Sequence, residues 1–160
     1  MRKAVRRKDR EITDLEKITG IMQACQTASI AFGGGAPYVI PMSYGFAQEN
    51  GRFTLYMHGA GEGEKIRRIQ ADPRAAFAMF TGNAVYGSGE AACSYTTSFD
   101  SVCGSGTIRI VTDETEKRAG LEALMAHYAP ERTFEFDEKT LRATCVIALD
   151  VEAITGKHHD

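Results

Sequence analysis

Nothing in the sequence pairs its cysteines or assembles them around a metal. Cys25, Cys93, Cys103 and Cys145 stand far apart, with no Cys-x-x-Cys pair and no metal-ligand spacing. Four reduced thiols in a cytoplasmic chain are the expectation. No apolar run approaches the roughly 20 residues of a membrane span, and no charged-then-apolar leader of the secretory kind is read at the start. Neither sign of charge dominates: 19 Lys and Arg against 21 Asp and Glu leave a net charge of −2. Nucleic acid and anionic membranes are therefore not expected partners. The basic start, Arg2-Lys3 and Arg6-Arg7-Lys8, gives way to acidic residues and reads as a solvated leader over residues 1–12. His158 and His159 fall in residues 155–160, read as a tail, so with His127 they make no credible metal set. Gly87-Ser88-Gly89 and Gly104-Ser105-Gly106 fall short of the Gly-x-Ser-x-Gly elbow, which argues against serine hydrolase chemistry.

What is present fits one domain. The chain has 160 residues, 43% hydrophobic and 25% charged, and no linker or internal repeat divides it. Thr13-Asp-Leu-Glu16 has capping-box form, and Leu15, Ile18, Met22 and Cys25 repeat on one face, which predicts a helix over about 14–26. A short strand is expected near Ser29–Phe32, then a reversal at Gly33-Gly34-Gly35. Alternation over Tyr38–Phe46 puts Tyr38, Ile40, Met42, Tyr44 and Phe46 on one face. Val39, Pro41, Ser43 and Gly45 form a flatter face opposite, with a bend or bulge expected at Pro41. Glu49-Asn50-Gly51 turns the chain into a strand over Arg52–His58, and a helix carrying Ile66 and Ile69 ends before Asp72-Pro73. Further strands are expected at Ala75–Phe80, about Asp100–Val111 and about Arg142–Ile154, with 82–98 as a loop or irregular strand. Asp113-x-x-Glu116 opens another helix that stops at Ala129-Pro130. Many strands joined by hairpin-like turns, with helices between, read as an antiparallel barrel with helices outside.

The chemistry concentrates in residues 55–66. An apolar strand runs into His58, glycines follow at 59, 61 and 63, and Lys65 stands in the first turn of a helix. Glycines allow close backbone approach, a helix start offers unpaired N–H groups, and lysine adds a full charge, so a phosphate is the natural guest. The spacing is neither G-x-G-x-x-G nor a P-loop, and no βαβ unit accompanies it. The apolar and aromatic strands alongside suggest a phosphate carried on a flat ring. His58, with an unperturbed pKa near 6.5, is a candidate proton donor beside such a ring.

Several stretches together resemble the pyridoxamine 5'-phosphate oxidase-related FMN-binding split-barrel family, nitroimidazole-resistance (Nim-type) branch. They are residues 6–12, Pro37–Gly45, Leu55–Ala60, Gly63–Ile66, Asp72-Pro73-Arg74, Ser101–Gly104 and Thr155-Gly156-Lys157. The resemblance spans nearly the whole chain in order. It implies a mainly β split barrel with flanking helices, antiparallel and Greek-key-like, forming a homodimer with two FMN sites between subunits. By the same resemblance, Pro41, Met42, Ser43 and Tyr44 lie along the flavin ring. Met57, His58, Gly59, Ala60, Gly63 and Lys65 surround its near edge and phosphate, and Ser101 and Val102 approach the site, with the second subunit as one source. The implied activity passes electrons from a reduced donor, with NAD(P)H a candidate, to a small aromatic or nitro-bearing acceptor, with His58 as the catalytic residue. A non-catalytic flavin sensor and a haem-binding relative are the alternatives. Phe99 stands where a tyrosine is common before Ser-Val, Gly61 loosens the phosphate loop, and the arginine-rich C-terminal segment that grips pyridoxal substrates is lacking. Pyridoxamine-phosphate oxidation itself is therefore not expected.

Overall fold

The computed structural model describes residues 5–160; the first four residues of the expected leader lie outside them. Lys8–Arg10 form a 3-10 turn, and β1 (Glu11–Ile12) pairs with the far end of the last strand. The elements that follow are α1 (Leu15–Ala24), β2 (Thr27–Phe32), β3 (Tyr38–Ser43), β4 (Gly45–Glu49), β5 (Arg52–Gly59) and α2 (Glu64–Ala71). Then come β6 (Arg74–Tyr86), β7 (Thr96–Ile110), α3 (Glu114–Tyr128), α4 (Glu138–Ala143) and β8 (Cys145–His159). One eight-stranded sheet runs β3-β2-β6-β7-β8-β5-β4, with β1 added beside β8, and every pairing is antiparallel. This is the split-barrel fold expected from the sequence.

The core explains the curl. Ile18 and Met22 of α1, Ile30, Phe53, Leu55, Met57, Phe77, Val102, Ile108 and Leu149 are buried inside the barrel. A second cluster, Tyr56, Val111, Leu121, Leu141, Val146 and Ala148, lies outside it under α3 and α4. Glycine lets α3 sit close. A side chain at Gly45 would be driven into the backbone of Ala123 and Leu124. Arg109 then links the helix to the sheet, reaching Glu116 at 2.7 Å and Asp150 at 2.7 Å, while the Tyr56 hydroxyl donates to Glu116 at 3.3 Å.

Four expectations are corrected. The run Tyr38–Phe46 is two strands broken at Tyr44, because that side chain turns fully into the core while Gly45 starts β4 beneath α3. Pro41 causes no bulge: β3 is an edge strand in regular register with β2, so the missing N–H costs no ladder bond. Asp14, not Thr13, caps α1, accepting from the Glu16 and Lys17 amides. The residues read as a tail belong to β8, paired with β7 from Phe99↔His159 inward. Residues 82–98, expected as a loop or irregular strand, hold both: strand at 82–86 and 96–98, and between them a connection with a 3-10 turn at Ala92–Ser94. They prolong β6 and β7 into a hairpin, with Ala84↔Ser98, Val85↔Thr97 and Tyr86↔Thr96 paired beyond a bulge after Thr81.

Candidate functional site

β5 carries the first part of the site to the barrel edge. Met57 is fully buried in the core, whereas His58, one residue on, is exposed on the opposite face of the strand. The ladder Gly45↔Tyr56 sets the β3–β4 corner beside the same strand end, so Ser43 and Tyr44 lie alongside Met57 and His58. Pro41 and Ser43 face outward, while Met42 and Tyr44 point their side chains into the core. Tyr44 and Met57 are wholly buried, main chain included, and Met42 nearly so, which leaves Pro41, Ser43 and His58 to present surface to a ligand.

Tyr44 fixes this corner. Its hydroxyl lies 2.6 Å from the Met22 carbonyl and 3.1 Å from that of Cys25, at the end of α1. Burial pushes its pKa far above the ordinary phenol value, so it stays a proton donor to those carbonyls. His127 Nε2 stands 2.8 Å from the Cys25 carbonyl, and its ring packs 4.9 Å from that of Tyr44.

The phosphate side of the candidate site is built by the loop after β5. Lys65 bends back over Gly59: a Cβ placed at 59 would stand 3.0 Å from the lysine Nζ. Any side chain there would press on the ammonium and displace it by a few tenths of an ångström. Gly63, at φ 97°, is the N-cap of α2 and offers no capping side chain. By contrast, Asp14, Asp113 and Asp137 cap α1, α3 and α4. The start of α2 is therefore left open to an outside acceptor. Glu64, the acid in its first turn, is neutralised: the Arg67 and Arg68 guanidiniums lower its pKa to about 2. Lys65 has no ion-pair partner among the described residues. An uncapped helix start, a glycine-made cradle and an unpaired lysine suit the phosphate of FMN, and the exposed face of Pro41 and Ser43 suits a flat ring.

Ser101 and Val102 do not join this group within the chain. Ser101 pairs with Lys157 of β8 while His58 pairs with Val146, eleven residues away and up to about 36 Å along the strand. Val102 is fully buried in the core, and Ser101 sits beside Phe80 on the outward face. One residue of structural weight was not anticipated. Arg68, 6% exposed, donates to Glu64 at 2.6 Å and to the Ala36 carbonyl, and lies 5.1 Å over the Tyr38 ring. It ties α2 to the turn before β3. The only sequence signal for it was the Glu64–Arg68 spacing.

Comparison with known proteins decides the family. The model of the family described as pyridoxamine 5'-phosphate oxidase matches residues 14–158. The chain belongs to this family. Within the pyridoxamine 5'-phosphate oxidase fold, it is similar to a crystallised candidate 5-nitroimidazole antibiotic resistance protein from Bacteroides thetaiotaomicron. That match has 27% identity and a TM-score of 0.79, and covers 92% of this chain and 86% of that one. It also shares the fold of the flavocytochrome Anf3 from Azotobacter vinelandii, at 21% identity and TM-score 0.78, covering 98% of this chain and 72% of that one. An FAD- and haem-binding protein from Mycobacterium smegmatis aligns at 21% identity and TM-score 0.79, covering 94% of this chain and 74% of that one. No curated protein matches the chain. Among the described residues, no helix is long and apolar enough to cross a membrane, and no cluster of His, Cys, Asp and Glu could hold a metal.

Proposed function

We propose that this pyridoxamine 5'-phosphate oxidase relative is an FMN-dependent oxidoreductase, passing electrons from a reduced donor such as NAD(P)H to a small aromatic or nitro-bearing acceptor. The observation that carries the reading is Lys65, held unpaired over Gly59 at the uncapped start of α2. When bound there, FMN would supply the electron chemistry. Lys65 and the α2 amides would hold the phosphate, and the Gly59–Gly63 loop would let the backbone approach it. The outward face of Pro41 and Ser43 would support the ring, in an orientation fixed by the Tyr44 anchor. His58, exposed at the strand end, would give a proton to the reduced acceptor and regain one from water. The 27% identical candidate nitroimidazole-resistance protein supports a nitro-bearing acceptor.

A homodimer completes the reading. The outward face of β2, β3, β6 and β7 holds no charge at Ser29, Pro41, Ala78 and Cys103, which lie in one row, and exposes Val39 and Phe80. Such an uncharged sheet face, half of it small residues, suits a second copy. Packing there would bring Ser101 from one subunit toward the flavin of the other, with the buried Val102 behind it.

An absorbance spectrum of the purified protein, followed by anaerobic NAD(P)H titration with a nitroaromatic acceptor, tests the proposal. A flavin band near 450 nm is expected of the cofactor. A haem Soret band without flavin would contradict it, and tight flavin without turnover would point to a sensor. The His58→Ala variant is expected to retain flavin and lose turnover; full activity in that variant would remove His58 from the chemistry.

A further inference from the structure

Beyond Thr81 the β6–β7 hairpin leaves the sheet's neighbours and continues as a two-stranded arm. Every residue from 82 to 97 is exposed, and Glu90 is the only charge among residues 82–98. Val85 is 73% exposed, Tyr95 51% and Tyr86 46%, an arrangement unlike a hairpin meant for water. Yet the tip is ordered from within. The Ser94 hydroxyl donates to the Ser88 carbonyl at 2.5 Å or the Ala91 carbonyl at 2.7 Å, and the Tyr95 hydroxyl donates to Gly89 at 3.3 Å. The Tyr95 ring lies so close over Gly87 that no side chain could stand there. Such internal fixing lowers the entropy lost when the arm is covered.

The root of the arm says what would cover it. Phe80 pairs with Ser101 and Thr81 with Asp100; the bulge and Gly82, at φ +73°, then turn the hairpin away from the barrel. From Thr81 to Gly87 the arm can reach roughly 20 Å. On the dimeric FMN reading above, on which this inference rests, Ser101 approaches the partner's flavin. The arm rooted beside it must then arrive at the rim of that same site. We infer that the β6–β7 arm of each subunit closes over the flavin site of its partner, where Tyr86 and Tyr95 form the outer wall against which a flat acceptor stacks. An arm with two tyrosines and Glu90 as its one charge selects planar aromatic acceptors over charged aliphatic ones. It would also shield the reduced flavin from solvent.

Paired heterodimers test this. In the first, one chain carries Lys65→Ala and the other carries Tyr86→Ser with Tyr95→Ser; its functional flavin site lies on the arm-altered chain. In the second, all three substitutions lie on one chain beside an unaltered partner. The readouts are iodide quenching of flavin fluorescence and KM for 2-methyl-5-nitroimidazole. Closure in trans predicts wild-type behaviour in the first heterodimer. In the second, quenching should rise severalfold and KM about five- to tenfold, with kcat changing less. The reverse pattern, or equal behaviour in both, would overturn the inference while leaving the flavin reading intact. Wild-type protein that binds no FMN, or binds it as a monomer, would instead overturn the reading beneath it.

Discussion

Replacing Arg68 should loosen the joint between α2 and the turn that leads into β3. Its guanidinium is the only described group that reaches from α2 to the 33–37 turn while also pairing within the helix: Glu64 at 2.6 Å, the Ala36 carbonyl, and Gly33 at 3.4 Å. It also sits over Tyr38 at 5.1 Å. In Arg68→Met the aliphatic stem is roughly matched, so packing volume is kept and the polar contacts are lost. A charged hydrogen bond to a carbonyl contributes about 1.5–3 kcal/mol and a cation–π contact about 0.5–1. Water can reach Ala36, which is exposed, so part of the loss is recovered. A net cost of about 2–3 kcal/mol follows, or roughly 5–10 °C in Tm for a chain of this size. Arg68→Lys should recover less than half, because an ammonium cannot reproduce the guanidinium fork. Urea unfolding measures the free-energy cost and thermal unfolding the Tm, both followed by circular dichroism. A Tm for Arg68→Met within about 1 °C of wild type would refute the joint; so would an Arg68→Lys variant as stable as the parent.

Two further outcomes are expected. Gly59→Ala should fold normally, since the clash falls on the flexible end of Lys65. It should bind FMN about tenfold more weakly; unchanged affinity would mean that Lys65 does not work from above Gly59. His158 lies 2.7 Å from Asp100 and 2.7 Å from Asp160, and its hydrogen bond to Asp100 raises its pKa above 6.5. A raised folded-state pKa makes this contribution complete below about pH 6.5, and it is lost as pH rises through the higher folded value. Urea midpoints between pH 5.5 and 8.5 should therefore fall in the wild type and fall less in Asp100→Asn; parallel slopes would exclude the pair as the source.

Most of the frame was legible because burial is periodic. α3 and the strand–glycine–helix unit at 52–71 repeat apolar residues at one spacing and are punctuated by Asp113 or by glycines. Where both faces of an element are exposed, that signal vanishes. The 82–98 hairpin is held by its ladder and hydrogen bonds at its tip, and Thr155–His159 by pairing with β7 and β1. α4 was missed because it buries only Leu141, though Asp137, which accepts from the Thr140 amide, could have marked its start. Tyr44 misled because alternation carries on through the break: the residue meets the core as a strand residue would, yet ends one strand. The site followed the same division. The clustering of His58, Gly59, Gly63 and Lys65 was visible as contiguous sequence, whereas the Arg68 joint and the separation of Ser101 from His58 arise only from register across the sheet.

The most direct test of the central claim is an FMN titration of wild type against Lys65→Ala, followed by flavin fluorescence. Loss of one charge-assisted contact to the phosphate, about 1.5–3 kcal/mol, predicts a Kd roughly 10- to 150-fold higher in the variant. Riboflavin, which lacks the phosphate, should bind both proteins equally. An unchanged Kd for FMN in Lys65→Ala would contradict the phosphate site on which the account stands.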